Sequence, residues 1–359
     1  MSASDQIEES ARKALSGAKE HPAAAAVAAG GAAAAAAGLA VIKRLTDNDK
    51  DADSSAYRLL AGEPVAAGLK RVVRAQVDDA ISHLRGEEDV PPAEAVHEAR
   101  KDIKKVRSAL RMVRQELGDE QWRSENEHYR EIARSLSSFR DAEILVESLD
   151  ELGERFGFVS ADRFTRLRGE LVDEIESAQS DGSMERAMAS AAGALAEGRA
   201  RIDELALTGD GWELIGAGIH RSYRRGRKRL QAVKEEATVT SLHELRKRVK
   251  DLWYQLRLIR DADRALIGSL ADHAHDLSDH LGDDHDLALL REDAARRPDA
   301  FDEPADQRHL FEWIDQRRGE LQFPAISLGE RIYDRKPKKF VRRLRDRWEA
   351  WREREPVAA

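Results

Sequence analysis

One segment of this chain occurs twice, at 96–114 (VHEARKDIKKVRSALRMVR) and at 242–260 (LHELRKRVKDLWYQLRLIR). Aligned without gaps, the copies share His97/His243, Glu98/Glu244, Arg100/Arg246, Lys101/Lys247, Lys104/Lys250, Leu110/Leu256, Arg111/Arg257 and Arg114/Arg260. The apolar positions match in kind: Val96/Leu242, Ile103/Val249, Val106/Leu252 and Val113/Ile259. Self-similarity at a separation of about 146 residues means that one structural unit is present twice.

The spacing inside the repeat predicts a helix. Val96, Ala99, Ile103, Val106, Leu110, Val113 and Leu117 step by three and four, the narrow apolar seam of a bundle helix. His97, Arg100, Lys104, Arg107, Arg111 and Arg114 step the same way, one place along. The cationic stripe therefore lies roughly 100° round from the apolar face and borders a groove between helices. The second copy repeats it with His243, Arg246, Lys250, Arg257 and Arg260, and Trp253 stands where the first has Arg107. A merely solvated face would mix signs, whereas here the acids Glu98, Asp102, Glu244 and Asp251 fall mostly off the stripe.

The rest of the chain fits an all-α fold. Charged residues make up 36% and aromatics 5%, helical spacing dominates, and no alternating strand pattern appears. A length of 359 residues suffices for two helical units, each with its own core. The expected division is a tail and linker at 1–53, a first unit at 54–207 and a second at 208–355. With no cysteine there is no disulfide framework, thiol chemistry or Cys-based zinc site. The net charge of −8 argues against a general nucleic-acid binder. A basic stripe within an acidic protein instead focuses on one anionic ligand.

Residues 23–42 are uncharged and mostly Ala and Gly, followed by Lys43 and Arg44. The length matches a bilayer, but the residues that drive insertion are scarce. An Ala-rich tail and a weak membrane- or granule-surface anchor both remain open. A polar linker follows at 46–55. Next comes a helix over 68–85, with Leu69, Val72, Val73, Gln76, Val77 and Ile81 inward. Pro91 and Pro92 start the first stripe helix and Gly118 ends it. The second unit opens at 218–229 (GIHRSYRRGRKR), which holds six Arg or Lys and no acid. Ser241 and Glu244 form a capping-box pattern that puts His243 in the first turn, where free amides favour an anion. Further echoes are 281–290 with 136–145, through Asp286 and Asp141, and 318–321 with 168–171. The end, 338–351, is an amphipathic basic helix with Phe340, Val341, Leu344, Trp348 and Trp351 inward.

A histidine opening a long helix of regularly spaced Arg and Lys, all in duplicate, resembles the CHAD family of conserved-histidine α-helical domains. The L-x-x-x-R-D and L-G-x-x-x-D segments after each stripe helix strengthen the likeness, which runs from about Tyr57 to Trp351. The resemblance implies two four-helix bundles related by a pseudo-twofold, with facing basic helices around a cleft that binds inorganic polyphosphate. It implicates His97, Arg100, Lys101, Lys104, Arg107, Arg111 and Arg114, with His243, Arg246, Lys247, Lys250, Arg257 and Arg260. The opening helices add Lys70, Arg71 and Arg74, then His220, Arg221, Arg224 and Arg225, and the following segment adds Arg140. The partner so implied is inorganic polyphosphate, at granules or beside a polyphosphate-metabolising enzyme, in the cytoplasm or held at a membrane or granule surface by the N-terminal segment. No specific nucleic acid is expected.

The chemistry is consistent with that expectation. Polyphosphate is a linear polyanion without bases, so its binder needs spaced cations, Arg as a planar fork and Lys as a point charge. Binding should be salt-sensitive. It should also strengthen as falling pH protonates His97 and His243. A catalytic role finds little support. No Walker A sequence occurs, and Gly216-Ala217-Gly218 lacks the third glycine of a dinucleotide fold. Glu174-Ile175-Glu176 lacks the lysine of the CYTH triphosphatase motif. The run 272–286 offers His273, His275, His280 and His285, without HExxH or carboxylate-bridge spacing. Neither a cofactor nor a metal is expected. Arg140-Asp141 and His285-Asp286 are open to two readings, a site or ion pairs that orient helices.

Overall fold

The computed structural model describes residues 57–157 and 162–354, without the side chains of 138–141, 162, 178 and 179. The segment 23–42, the linker 46–55 and the side chains of Arg140 and Asp141 therefore lie outside the described residues. The fold is all-α, with no strand among the described residues. The helices are α1 (Val65–Arg85), α2 (Pro92–Met112), α3 (Arg114–Ser135), α4 (Ser138–Phe156), α5 (Thr165–Ser180) and α6 (Ser183–Ala200). Then come α7 (Trp212–Glu235), α8 (Val239–Leu258), α9 (Ser269–Arg296), α10 (Pro304–Ile332) and α11 (Pro337–Arg354). No described helix is long and apolar enough to cross a membrane.

The seam predicted for α2 is buried throughout, from Val96 and Ala99 to Val113 and Leu117. The inner side of α1, Gln76 included, is buried too. Helix α11 buries Phe340, Leu344 and Trp348, with Val341 and Trp351 packed at their edge. Helices α1, α2, α3 and α6 pack together, and α7 to α10 pack in sequence with α11 against α7. The compact unit formed by 54–149 and 163–359 holds one continuous apolar core, which runs from Tyr57 to Trp348.

Helices α2 and α8 touch each other, and α7 touches α2. Ser108 Oγ donates to the Asp251 carbonyl at 3.1 Å, and the Tyr57 hydroxyl to the Lys105 carbonyl at 3.2 Å. The Leu59 amide donates to the Leu258 carbonyl at 2.9 Å. At the α7–α2 crossing only glycine fits: a Cβ on Gly218 would lie 1.9 Å from the Met112 carbonyl oxygen.

Two local expectations are corrected. The first stripe helix breaks at Val113 (φ −97°, ψ 14°), before Gly118 (φ 74°, ψ 166°), which makes a second break. The second breaks at the equivalent Ile259. The capping box of α8 is formed by Thr238 and Ser241, whose side chains and amides bond reciprocally at 3.1 and 2.9 Å. Glu244 is drawn instead to Lys247, at 2.9 Å. His243 is consequently the fifth residue of its helix rather than a first-turn residue, and no free amide underlies it.

Candidate anion-binding site

The two stripes meet where α2 and α8 touch. Lys104 is held well below the usual lysine range, first by burial and then by Lys250, Arg100, Arg246 and Lys101. Lys250 is lowered to about 8 by burial and Arg246, with Asp279 and Asp286 on α9 opposing the shift. The groups acting most strongly on Lys104 are thus all cations, drawn from both repeats. Around them Arg100 donates to the Leu136 carbonyl at 2.8 Å, and the Arg246 Nε is buried without a hydrogen bond. Lys101 and Lys247 make the same local pair in each copy, with Glu98 and Glu244, both at 2.9 Å. Clustered, desolvated like charges destabilise one another, and a multivalent anion offsets that repulsion.

His97 lies on the flank of α2, half-buried, in the second turn. His243 stacks on His285 with ring centroids 4.1 Å apart. Burial, His285, Lys247 and Arg246 lower His243 to about 4, and burial with Arg246 and Lys247 does the same to His285. The expectation that His243 gains charge near neutrality is therefore corrected, because burial, with His285 and the cations Lys247 and Arg246 beside it, disfavours the charged form. Trp253 does more than replace a cation. It stacks on Tyr254 and His275 and lies under Arg257 and Lys250, at 5.3 and 6.0 Å. His275 pairs with Asp279 at 2.7 Å.

The other implicated cations are distributed around this cluster. Arg111 pairs with Asp251 across the α2–α8 contact, and Arg248 reaches the same carboxylate at 3.0 Å. Arg107 is pushed down to about 10 by burial and by Arg111. Arg114 pairs with Asp119 at 2.8 Å and borders, with Arg221, a cavity of about 470 Å³. Arg257 is buried over the Tyr57 ring, and Arg260 pairs with Asp272 at 2.8 Å. On α1, Lys70 and Arg74 are held by Asp203, and Arg71 by Glu63 at 2.6 Å. On α7, Arg224 and Arg225 line an open depression of about 550 Å³ with Lys228 and Arg229. His220 lies beside Arg224 and Lys338. Lys228, Arg229 and Arg248 also border this surface, and His285, offered by the sequence as part of a site or an ion pair, lies against His243. The acid-free run at 218–229 already contained the signal for the first two.

A family model described as CHAD domain matches residues 71–295, more than half of the chain. A solved CHAD domain from the plant Ricinus communis aligns over 82% of this chain and 94% of its own, at 15% identity and a TM-score of 0.49. A comparison with curated proteins finds no match.

Proposed function

The chain belongs to the CHAD domain family, which is associated with polyphosphate and triphosphate binding, and we propose that it binds inorganic polyphosphate without catalysing its turnover. The observation that carries this reading is the group of Lys104, Lys250, Arg100, Arg246 and Lys101. Five cations from two repeats are gathered at one half-buried place and destabilise each other. A linear polyanion supplies several negative charges at close spacing and asks for no base recognition. The groove so lined is the proposed cleft. Docking at polyphosphate granules in the cytoplasm, with 23–42 as a surface contact, belongs to the same proposal, as does work beside a polyphosphate-metabolising enzyme.

The test is a titration of the full chain with long-chain polyphosphate over a salt range, with duplex DNA as competitor. Expected are a falling affinity with salt and retention of polyphosphate in excess DNA. Arg100→Glu with Arg246→Glu should abolish binding while leaving helicity intact. Equal displacement by DNA, or unchanged retention in the double variant, would count against the proposal.

A further inference from the structure

The repeat is broken electrostatically at one place. At the separation that relates the two stripe helices, Asp78 corresponds to Arg224, Asp79 to Arg225, His83 to Arg229, Asp102 to Arg248 and Lys105 to Asp251. Both sets are gathered in space. In the first repeat His83 lies 3.5 Å from Asp102 and 3.4 Å from Glu88, and Lys105 pairs with Asp102 at 2.9 Å. In the second, Arg111 and Arg248 share the Asp251 carboxylate, Arg229 lies 3.5 Å from Glu244, and Arg225 is lowered first by burial and then by Arg248, with Arg111 and Arg229 adding to it. The same position in the fold is therefore acid-rich between α1 and α2, and Arg-rich between α7 and α8.

The two ways out of the central cluster differ accordingly. Along α2 the stripe continues from Lys104 to Arg107 and Arg111, and Arg111 meets Asp251 and its ring of arginines. Along α8 it continues from Lys250 to Trp253 and then to Arg257, which is 3% exposed and covered by the Tyr57 and Trp253 rings. Past Arg257 the stripe reaches Arg260, which is already paired with Asp272 at 2.8 Å. A polyanion is thus met by a run of cations in one direction, and in the other by aromatic rings and an arginine already paired with a carboxylate.

Resting on the polyphosphate reading, we propose that the ligand leaves the Lys104–Lys250 cluster in one direction only, past Arg107 and Arg111, into the depression lined by Arg224, Arg225, Lys228 and Arg229. This depression is a second phosphate-binding site, confined to the second repeat, which long chains reach and short ones do not. The site makes affinity depend on chain length, and it makes the two repeats unequal in function despite their common origin.

Lys228 and Arg229 are exposed, so neutralising them leaves the core untouched. The experiment titrates the full chain, wild type and Lys228→Gln with Arg229→Gln, with tripolyphosphate and with long-chain polyphosphate. The expected result is an about tenfold loss of long-chain affinity with tripolyphosphate affinity unchanged. The long-chain salt dependence should become shallower by about one unit of slope per lost contact. Unchanged long-chain binding, or equal weakening for both ligands, would overturn the one-way path while leaving the central site in place. A wild-type chain that bound neither ligand would overturn the underlying reading together with it.

Discussion

On the proposed reading, Lys104 and Lys250 set stability against binding. Each is desolvated and faces like charge, so each opposes folding. Lys104→Met keeps the aliphatic stem and removes the charge. It should raise stability by about 1–2 kcal/mol in chemical denaturation and weaken polyphosphate binding in the same preparation. The pH dependence follows from the same shift. The folded-state value of Lys250 is lowered from 10.5 to about 8. Between those values the unfolded chain holds the proton and the folded chain does not, so this group makes stability rise with pH across that window. Polyphosphate needs the ammonium form, so its affinity should fall as pH rises through the same window. Titrations from pH 7 to pH 10 check the sign, and a constant affinity would remove Lys250 from the site. His243 and His285, lowered to about 4, act on the acid side. Their contribution is fully present above the ordinary histidine range and is lost as pH falls towards 4.

The positions of whole helices depend on a few backbone approaches. A Cβ on Gly218 meets the Met112 carbonyl, which belongs to the last residue of α2 and cannot rotate away. Gly218→Ala should therefore cost about 3 kcal/mol or more and shift the thermal midpoint down markedly. Gly193, in α6, is the contrasting case, because nothing lies within 4 Å of an added Cβ. Gly193→Ala should stabilise by about 0.5–1 kcal/mol through helix propensity. Equal effects at the two sites would mean that the α7–α2 crossing is not a tight contact. The breaks at Val113 and Ile259 show a second constraint on the elements. Each stripe helix ends at the equivalent residue although only the first is followed by a glycine five residues on.

Across the whole molecule, a chain of net charge −8 contains a half-buried cluster of cations. On the proposed reading, the net negative charge disfavours nucleic acid and the cluster selects a thin polyanion, which the DNA competition tests. The repeats 54–207 and 208–355, proposed as two bundles of one lineage, share the Ser108–Asp251 and Leu59–Leu258 hydrogen bonds and one apolar core. They should unfold in a single calorimetric transition, and two separated transitions would show independent halves. Removing 1–53 should leave polyphosphate affinity unaltered and change only where the protein is found in the cell. A loss of affinity would bring the tail into the site.

Much of this was legible in the residues themselves. The all-α class, the buried seam of α2, the inward side of α1 and α11 and the repeat of the cationic stripe all follow from local periodicity, which a helix converts directly into faces. Helix ends were harder, because a Gly118 or a Ser241-x-x-Glu244 competes with stronger local partners that only neighbouring chain segments supply. Partnership was not legible at all. Nothing in the stripe distinguishes Lys104, set among cations, from Arg111, which takes Asp251, or Arg74, which takes Asp203. Charge type is a property of the residue, whereas burial and the sign of the nearest charge depend on how helices distant in sequence cross. The sequence by itself determined that two cationic helices exist. The tertiary structure alone decided which of their cations meet each other, because desolvation and Coulomb energy depend on distances through space.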